Sequence, residues 1–307
     1  MSITMRQLLH MYVAERPLLK PQTLVGLEAA VRSFEKRFGG VMDVALSFEM
    51  HHAAAWRVHC RKLKPRTYNG QTNQLKALLR LGIKRDLIAH RHPFLMLEPS
   101  KVPRRAAPIV RESTIRKIED FFATTQHDPL ELGYTLMRPR HLWRAIFVTL
   151  VLTGMRRTAT VSLTWGDVRF EEKSIRLRAE FSKTGREQTV PMADALVQEL
   201  TMLAERNRAA RGRSVHDTDR LFDVQAYGKP EPLTPSKITD GFRQLGRIVD
   251  CHLHPHLFRH TAASRWMDGK GNIKATQLIL GHTSTLMSYE YVHPELDSMR
   301  DALAALT

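Results

Sequence analysis

The chain of 307 residues contains only two cysteines, Cys60 and Cys251. Two cysteines are too few for the disulfide framework of a small secreted protein, so we expect a reducing compartment. No apolar run approaches the roughly 18 residues that span a bilayer, and no export signal, internal repeat or low-complexity tract is evident. We therefore expect a soluble, cytoplasmic protein that does not bind membranes.

Acidic residues are also scarce. The chain has 31 Asp and Glu against 47 Lys and Arg, which leaves a net charge of +16. The first 110 residues contain 19 basic and only 7 acidic residues, so most of the excess lies in the N-terminal third. Such asymmetry predicts a polyanionic partner such as nucleic acid. The alternative is a solvated basic surface that only aids solubility.

Three prolines and three positive charges interrupt the helical patterns between Pro99 and Pro108. This composition predicts a linker that includes Arg104 and Arg105 and lies along a phosphate backbone. The predicted organisation is a helical, DNA-binding N-terminal domain at 1–98, a basic linker at 99–110 and a second domain at 111–307. The predicted fold class is mainly α with a small antiparallel β-sheet.

Two helices are predicted in the N-terminal domain. Apolar residues at helical spacing from Leu24 to Phe38 stop at Gly39, which is a typical end signal. A second helix, from about Thr67 to Lys84, carries four amide and cationic side chains on one face. We predict that this face contacts a DNA groove, and an ordinary solvated face is the alternative. The four residues are Asn69, Asn73, Lys76 and Arg80.

The second domain begins with a buried helix, since Leu142 to Leu152 is almost entirely apolar and ends at a Thr-Gly pair. Two short strands are then predicted, one around Ile175 and Leu177 and the other from Gln188 to Met192. Lys183 lies between them and is predicted at the tip of a hairpin. Helices are predicted from Ala193 onward.

Five short motifs occur in order along this domain. They contain two guanidiniums, two imidazoles, an ammonium and a phenol, which are the groups that a phosphoryl transfer to tyrosine requires. The motifs are Thr153-Gly154-Met155-Arg156, Ser182-Lys183-Thr184-Gly185, His256-Leu257-Phe258-Arg259-His260, Leu280-Gly281-His282 and Tyr291-Val292-His293.

In their order and spacing these motifs resemble the catalytic domain of the tyrosine recombinase or phage integrase family. The resemblance covers residues 145–293, and the helical, basic domain before them resembles the family's core-binding domain. It implies a site-specific DNA recombinase or integrase that acts through a covalent 3′-phosphotyrosine, without metal, ATP or another cofactor. The implied partner is double-stranded DNA with specific recombination sites.

The resemblance also implies a role for each motif residue. Tyr291 would attack the scissile phosphate, and Arg156 and Arg259 would bind its non-bridging oxygens. Lys183 would protonate the leaving 5′-oxygen. His256 would assist proton transfer, and His282 would hydrogen-bond the phosphate or orient the nucleophile.

Several alternatives remain open. Arg157 stands beside Arg156, and Tyr289 lies two residues before Tyr291 and competes as the nucleophile. The segment that contains Cys251, His252, His254, His256 and His260 resembles a group of zinc ligands, although no second ligand pair is evident. The sequence also departs from the family at Ala159, where many members carry an acidic residue.

An amphipathic tail helix is predicted after Tyr291, with Leu296, Met299, Leu303 and Leu306 on one face. The resemblance implies that this tail links protomers in a homotetramer on DNA, and the alternative is that it caps its own domain. Two other functions stay open: DNA relaxation of the type IB topoisomerase kind, and a regulator that binds DNA without cleaving it.

Overall fold

The computed structural model describes residues 2–103, 108–124, 137–182 and 185–268. The chain divides into two compact units, Met1–Arg104 and Arg105–Thr307. Helices dominate both, and within the described residues the only sheet has three antiparallel strands. The predicted fold class is therefore confirmed. In the same described residues, no helix combines the length and the apolar composition needed to cross a membrane.

The first unit is built from four helices around one core. Two of them begin with a proline, Pro21 and Pro65, at a position where the missing N–H is not needed. The second helix ends at Gly39, whose φ of 86° favours glycine, so the predicted end is confirmed. The helices are α1 (Met5–Ala14), α2 (Pro21–Phe38), α3 (Met50–His59) and α4 (Pro65–Lys84).

Aromatic side chains fill the core of the first unit. Phe34 lies 6.2 Å from both Trp56 and Phe94, measured between ring centroids, and all three side chains are buried. The indole Nε1 of Trp56 donates to the Thr72 hydroxyl at 3.0 Å, so the buried polar atom of this ring is satisfied. This bond ties α3 to α4.

The second unit contains the remaining helices and the sheet. Its first long buried helix ends at Gly154, in the left-handed conformation with φ 57°, as the Thr-Gly pair predicted. The helices are α5 (Glu112–Thr124), α6 (Arg140–Thr153), α7 (Arg157–Ser162), α8 (Asp194–Arg211), α9 (Pro235–Ile248) and α10 (Pro255–Asp268).

The sheet has the order β1 (Val168–Arg169), β2 (Ser174–Leu177) and β3 (Gln188–Pro191). Ile175 pairs with Val190, and both side chains are buried, as alternation predicts for a half-buried strand pair. Two of the three strands were predicted. The two-residue β1 is too short to show alternation, which explains why the sequence pattern missed it.

Helices α6 and α9 approach each other closely at Gly241. A Cβ atom at this position would lie 2.1 Å from the ring of Trp143, so any larger residue would force the two helices apart. The packing continues through Phe242 to Phe258 of α10, whose ring centroids are 5.0 Å apart. Helices α6, α9 and α10 therefore form one closely packed body.

Candidate active site

Arg156 lies at the junction between two helices. The buried helix α6 ends at Gly154, Met155 is 2% exposed, and Arg156 is the residue that precedes α7. Its carbonyl oxygen accepts the backbone N–H of Thr160 at 3.0 Å, which begins the hydrogen-bonding of α7. The backbone on both sides of Arg156 is thus fixed by buried structure, and its side chain is half-buried.

Arg259 reaches the same junction from α10. Its side chain is only 3% exposed, and its Nη1 donates to the carbonyl oxygen of Gly154 at 2.9 Å. The neighbouring Phe258 is fully buried and lies 5.6 Å from Phe147 between ring centroids. Because this packing fixes α10 against α6, the second arginine is held at the turn that precedes Arg156.

His256 lies in the first turn of α10, three residues before Arg259. The pKa of His256 is lowered to about 4, first because the surrounding protein removes water from around the ring. Positive charge on His260, Arg259 and Arg156 adds to this effect. The side chain still has an exposed surface, and all these causes act in the same direction. His256 is therefore a neutral imidazole at neutral pH.

The geometry brings three of the six predicted catalytic residues into one cluster. Two guanidiniums at one turn form a site suited to an oxyanion, since their planar forks match the oxygens of a phosphate. A neutral imidazole beside them can accept a proton or donate one, depending on its tautomer. The cluster consists of Arg156, His256 and Arg259.

The other predicted catalytic residues lie outside the described residues. They are Lys183, His282 and Tyr291. The predictions for Tyr289, for Arg104 and Arg105, and for the tail residues Leu296, Met299, Leu303 and Leu306 also lie outside them. The base of the predicted hairpin is described, because Leu177 pairs with Gln188, and residue 183 lies in the loop between these strands.

Arg157 has a contact of its own. Its side chain is exposed, and its Nη1 donates to the hydroxyl of Thr239 on α9. This hydrogen bond helps to attach the start of α7 to α9. Arg157 therefore has a structural role that does not depend on a bound phosphate.

The cysteine and histidine segment before α10 contains an aromatic pair. The rings of His252 and His254 meet edge to face at 5.7 Å, and the pKa of His254 is lowered by burial. Across residues 2–103, 108–124, 137–182 and 185–268, no three His, Cys, Asp or Glu side chains are grouped so as to hold a metal ion.

Ala159 lies in α7 and is 6% exposed. Its carbonyl oxygen accepts the hydroxyl of Ser162 at 2.8 Å, and its methyl group packs in the interior. A carboxylate at this position would therefore be a buried charge. The departure from the family pattern is compatible with the apolar surroundings of this position.

Asp167 is a buried carboxylate that sequence reasoning missed. It is 1% exposed, and its oxygens lie 3.6 Å from Arg176 and 3.3 Å from Arg178. In the sequence, Arg176 and Arg178 only alternate with the apolar residues Ile175 and Leu177, as polar positions of a strand do. Nothing in the local pattern indicates their common partner, because the contact joins β2 to the turn before β1.

The predicted DNA-contact face on α4 is divided in the structure. The carboxamide of Asn69 donates to the Ser100 carbonyl at 2.9 Å and accepts the Ser100 N–H at 2.7 Å. Lys76 is only 9% exposed and donates to the Leu97 carbonyl. These two side chains hold the segment Leu97–Ser100 against α4, which the sequence pattern did not indicate.

Asn73 and Arg80 are the exposed members of the same face. Contacts between DNA and all four residues remain predictions. Ser100, which the sequence assigned to the linker, is held by the side chain of Asn69 in the first unit.

The second unit is predominantly helical, has a small antiparallel sheet and holds Arg259 at the turn that precedes Arg156. The sequence model described as the phage integrase family matches residues 117–297. The chain belongs to this family, which includes the tyrosine recombinases.

Two related proteins are provisionally named tyrosine recombinase XerC. The one from Pseudomonas syringae is 25% identical over 312 residues, which cover 98% of this chain and 64% of the relative. The one from Pseudomonas aeruginosa is 26% identical over 313 residues, which cover 99% of this chain and 72% of the relative. The chain thus spans a little under two thirds of the length of the first of these relatives.

The fold is also similar to that of a solved structure, the Tn1549 transposon integrase in complex with a circular intermediate DNA. The TM-score is 0.73 at 22% identity, and the similarity covers 100% of both chains. This likeness concerns the fold of the whole chain.

Proposed function

We infer that this protein is a site-specific DNA recombinase or integrase that cleaves and rejoins DNA strands through a covalent 3′-phosphotyrosine, without metal or ATP. The observation that carries this inference is the convergence of Arg156 and Arg259 at the Gly154 turn, with neutral His256 beside them. Membership of the phage integrase family supports it.

In the first step the phenolic oxygen of Tyr291 forms a bond to the scissile phosphorus as the bond to the 5′-oxygen breaks. His256 takes up the phenolic proton, and Lys183 gives a proton to the leaving 5′-oxygen, which becomes a hydroxyl. The phosphodiester bond is replaced by a phosphotyrosine bond of similar energy, so no ATP is consumed. The reverse sequence of steps rejoins the strand.

Arg156 and Arg259 act on the two non-bridging oxygens. Positive groups that are already in place stabilise the additional negative charge of the transition state without reorganising at the moment of reaction. The burial of Arg259 strengthens this effect, because fewer water molecules screen its charge. His282 completes the site by binding the phosphate or orienting the nucleophile.

Double-stranded DNA with specific recombination sites is the proposed partner, and the assembly is a homotetramer linked by the tail helix. The excess charge of the first 110 residues supports DNA binding. The exposed Asn73 and Arg80 on α4 are the described side chains of the predicted face that are best placed to contact it.

Covalent trapping tests the proposal. A duplex sequence is first obtained by selecting binders from a random-sequence pool, and a nick next to the cleavage site then prevents rejoining. We expect an SDS-resistant adduct with the wild type and with Tyr289→Phe, and none with Tyr291→Phe.

Other outcomes distinguish the alternatives. Loss of the adduct only in Tyr289→Phe would move the nucleophile by two residues. Tight binding without any adduct would indicate a regulator. Relaxation of supercoiled DNA by a monomer, without exchange between two sites, would indicate topoisomerase-like activity.

A further inference from the structure

Arg178 follows β2 directly and has four contacts within the second unit. Its Nη2 donates to the Ser162 carbonyl at 2.7 Å, and its Nε lies 3.3 Å from the carboxylate of Asp167. Its Nη1 lies 3.3 Å from Glu180, and its guanidinium carbon lies 4.8 Å from the centroid of the Phe181 ring.

Two partners of Arg178, Asp167 and Ser162, lie outside the loop that follows Arg178 and are held by other contacts. Asp167 is buried, and its Oδ2 accepts both the N–H and the hydroxyl of Thr164, at 3.0 and 3.1 Å. Ser162 is the last residue of α7, the helix that begins immediately after Arg156. Asp167 is a buried carboxylate whose nearby cations are Arg178 at 3.3 Å and Arg176 at 3.6 Å, so losing the charge of Arg178 would be unfavourable.

Arg178 therefore joins two parts of the proposed active site. On one side is α7, which starts at the catalytic cluster. On the other side is the loop 178–187, which leaves the last paired residues of β2 and β3 and contains Lys183. The short helical turn Ala179–Phe181 continues directly from the anchored residue, and Lys183 follows it by two positions.

We propose that Arg178 is a positioning residue that sets the direction of the loop carrying Lys183, so that the lysine ammonium meets the leaving 5′-oxygen. This proposal rests on the proposed function. Reacting groups must be placed closely, and a displacement of about 1 Å is enough to slow an enzymatic step roughly 100-fold. Arg178 lies five positions before Lys183 in the chain, so we expect its contacts to limit the directions that the loop can take.

The proposal separates Arg178 from the arginines that bind phosphate. Its guanidinium is paired with two carboxylates and one carbonyl, and its side chain is 31% exposed. It acts on the reaction through Lys183. Its replacement should therefore impair proton donation to the leaving group and leave stabilisation of the phosphate unchanged.

A substrate with sulfur in place of the scissile 5′-bridging oxygen tests this distinction. A thiolate leaves without a proton, because a thiol is far more acidic than an alcohol. Single-turnover cleavage of the nicked duplex is measured with the oxygen and the sulfur substrate, for wild type, Arg178→Gln and Lys183→Ala. Arg169→Gln is the matched control, since Arg169 is also an arginine of this sheet paired with a glutamate, Glu172 at 3.1 Å.

We expect Arg178→Gln and Lys183→Ala to cleave the oxygen substrate about 100-fold more slowly than wild type, the low end of the range for a lost general acid. Both should cleave the sulfur substrate within about threefold of the wild-type rate. Arg169→Gln should resemble wild type on both substrates. If Arg178→Gln slows cleavage of the oxygen and the sulfur substrate by the same factor, the proposal is overturned. Arg178 would then either contact the phosphate or stabilise the fold.

Folding and function have separate readouts. If Arg178→Gln unfolds, Arg178→Lys takes its place, because it keeps a cation beside Asp167 and loses only the planar guanidinium. We expect it to cleave the oxygen substrate more slowly and the sulfur substrate at nearly the wild-type rate. An equal loss of rate on the oxygen and the sulfur substrate in that variant would overturn the proposal.

If the wild type forms no adduct, or if Lys183→Ala cleaves the oxygen substrate at the normal rate, the proposed function of Lys183 fails and the role of Arg178 fails with it. If only Lys183→Ala shows the selective loss, the proposed function stands and the role of Arg178 alone is refuted.

Discussion

Each unit of the molecule contains a buried cation that donates to a backbone carbonyl. In the second unit Arg259 is 3% exposed and binds the Gly154 carbonyl, and in the first unit Lys76 is 9% exposed and binds the Leu97 carbonyl. A guanidinium has five N–H donors and keeps its charge, so one bond can fix its position while other donors bind other groups.

Lys76 differs from Arg259 in its pKa and in the shape of its donor group. Burial lowers its pKa, and the nearby Arg80 lowers it further. Its ammonium is compact, and its position is set by the carbonyl it holds. We therefore expect the buried arginine to serve both the fold and an anionic substrate, and the buried lysine to serve the fold.

The largest effect is expected at the arginines of the second unit. Arg156→Ala and Arg259→Ala should each slow single-turnover cleavage by about 100-fold to 1000-fold, the range for loss of a preorganised transition-state donor. The measurement is the rate of adduct formation on the nicked duplex. Arg157→Ala is the control, because that side chain is exposed and contacts Thr239, and it should stay within a few-fold of wild type.

The two arginines proposed to bind phosphate should differ in their effect on stability. Arg259→Ala removes the donor to a buried carbonyl and should lower the free energy of unfolding by about 1–3 kcal/mol. Arg156→Ala should have a smaller effect on thermal unfolding, because its side chain is only half-buried. If Arg157→Ala proves as inactive as either variant, the assignment of the phosphate-binding arginine is wrong.

Smaller effects are expected on α4, where the buried cation should affect stability and the exposed cation should affect DNA binding. Lys76→Met leaves the Leu97 carbonyl without its donor, so it should destabilise the first unit by about 1–3 kcal/mol, measured by hydrogen exchange of the α4 amides in the full chain. The salt dependence of DNA binding should not change. Arg80→Gln is the matched variant and should change stability by less than about 0.5 kcal/mol while lowering the salt slope by about 1. A reduced salt slope for Lys76→Met would show that the ammonium of Lys76 contacts DNA, and Lys76 would then not differ from Arg80 in this respect.

The smallest effect concerns two histidines, one in each unit. Burial lowers the pKa of His92, whose ring bonds the Val44 carbonyl, and the pKa of His256 is lowered to about 4. The unfolded chain protonates both rings near pH 6.5. Between that value and the folded pKa the unfolded state binds more protons, so the stability of the folded state falls as pH decreases from about 6.5 toward 4.

Proton NMR titration measures both rings directly. In the free protein we expect His256 to be neutral at pH 6. Bound DNA should raise the pKa of His256, because a phosphate offsets the neighbouring positive charge, and should leave His92 unchanged. Equal behaviour of the two rings would argue that His256 is a structural histidine like His92.

The sequence predicted those features that depend on a local constraint. Gly39 and Gly154 end their helices because the backbone there has a positive φ, which glycine adopts easily. Arg156, His256 and Arg259 were singled out by their motifs, and the structure brings the three residues together.

Contacts between distant segments could not be predicted in the same way. Asn69 donates to the backbone carbonyl of Ser100, and Arg178 donates to the carbonyl of Ser162 and forms an ion pair with Asp167. A hydrogen bond from a side chain to a remote backbone group leaves no periodic pattern in either segment. The catalytic roles of all six residues, Arg156, Lys183, His256, Arg259, His282 and Tyr291, remain predictions.

The bond between Arg259 and Gly154 joins residues that are 105 positions apart. During translation, which adds about 5–20 residues per second, α6 and its turn are complete well before α10 is synthesised. A nascent chain that stops before residue 255 contains Arg156 but neither His256 nor Arg259. Interrupted synthesis therefore yields a fragment that keeps the basic N-terminal third and lacks the assembled cluster, so the group of side chains that we propose to act on DNA is completed only late in the making of the chain.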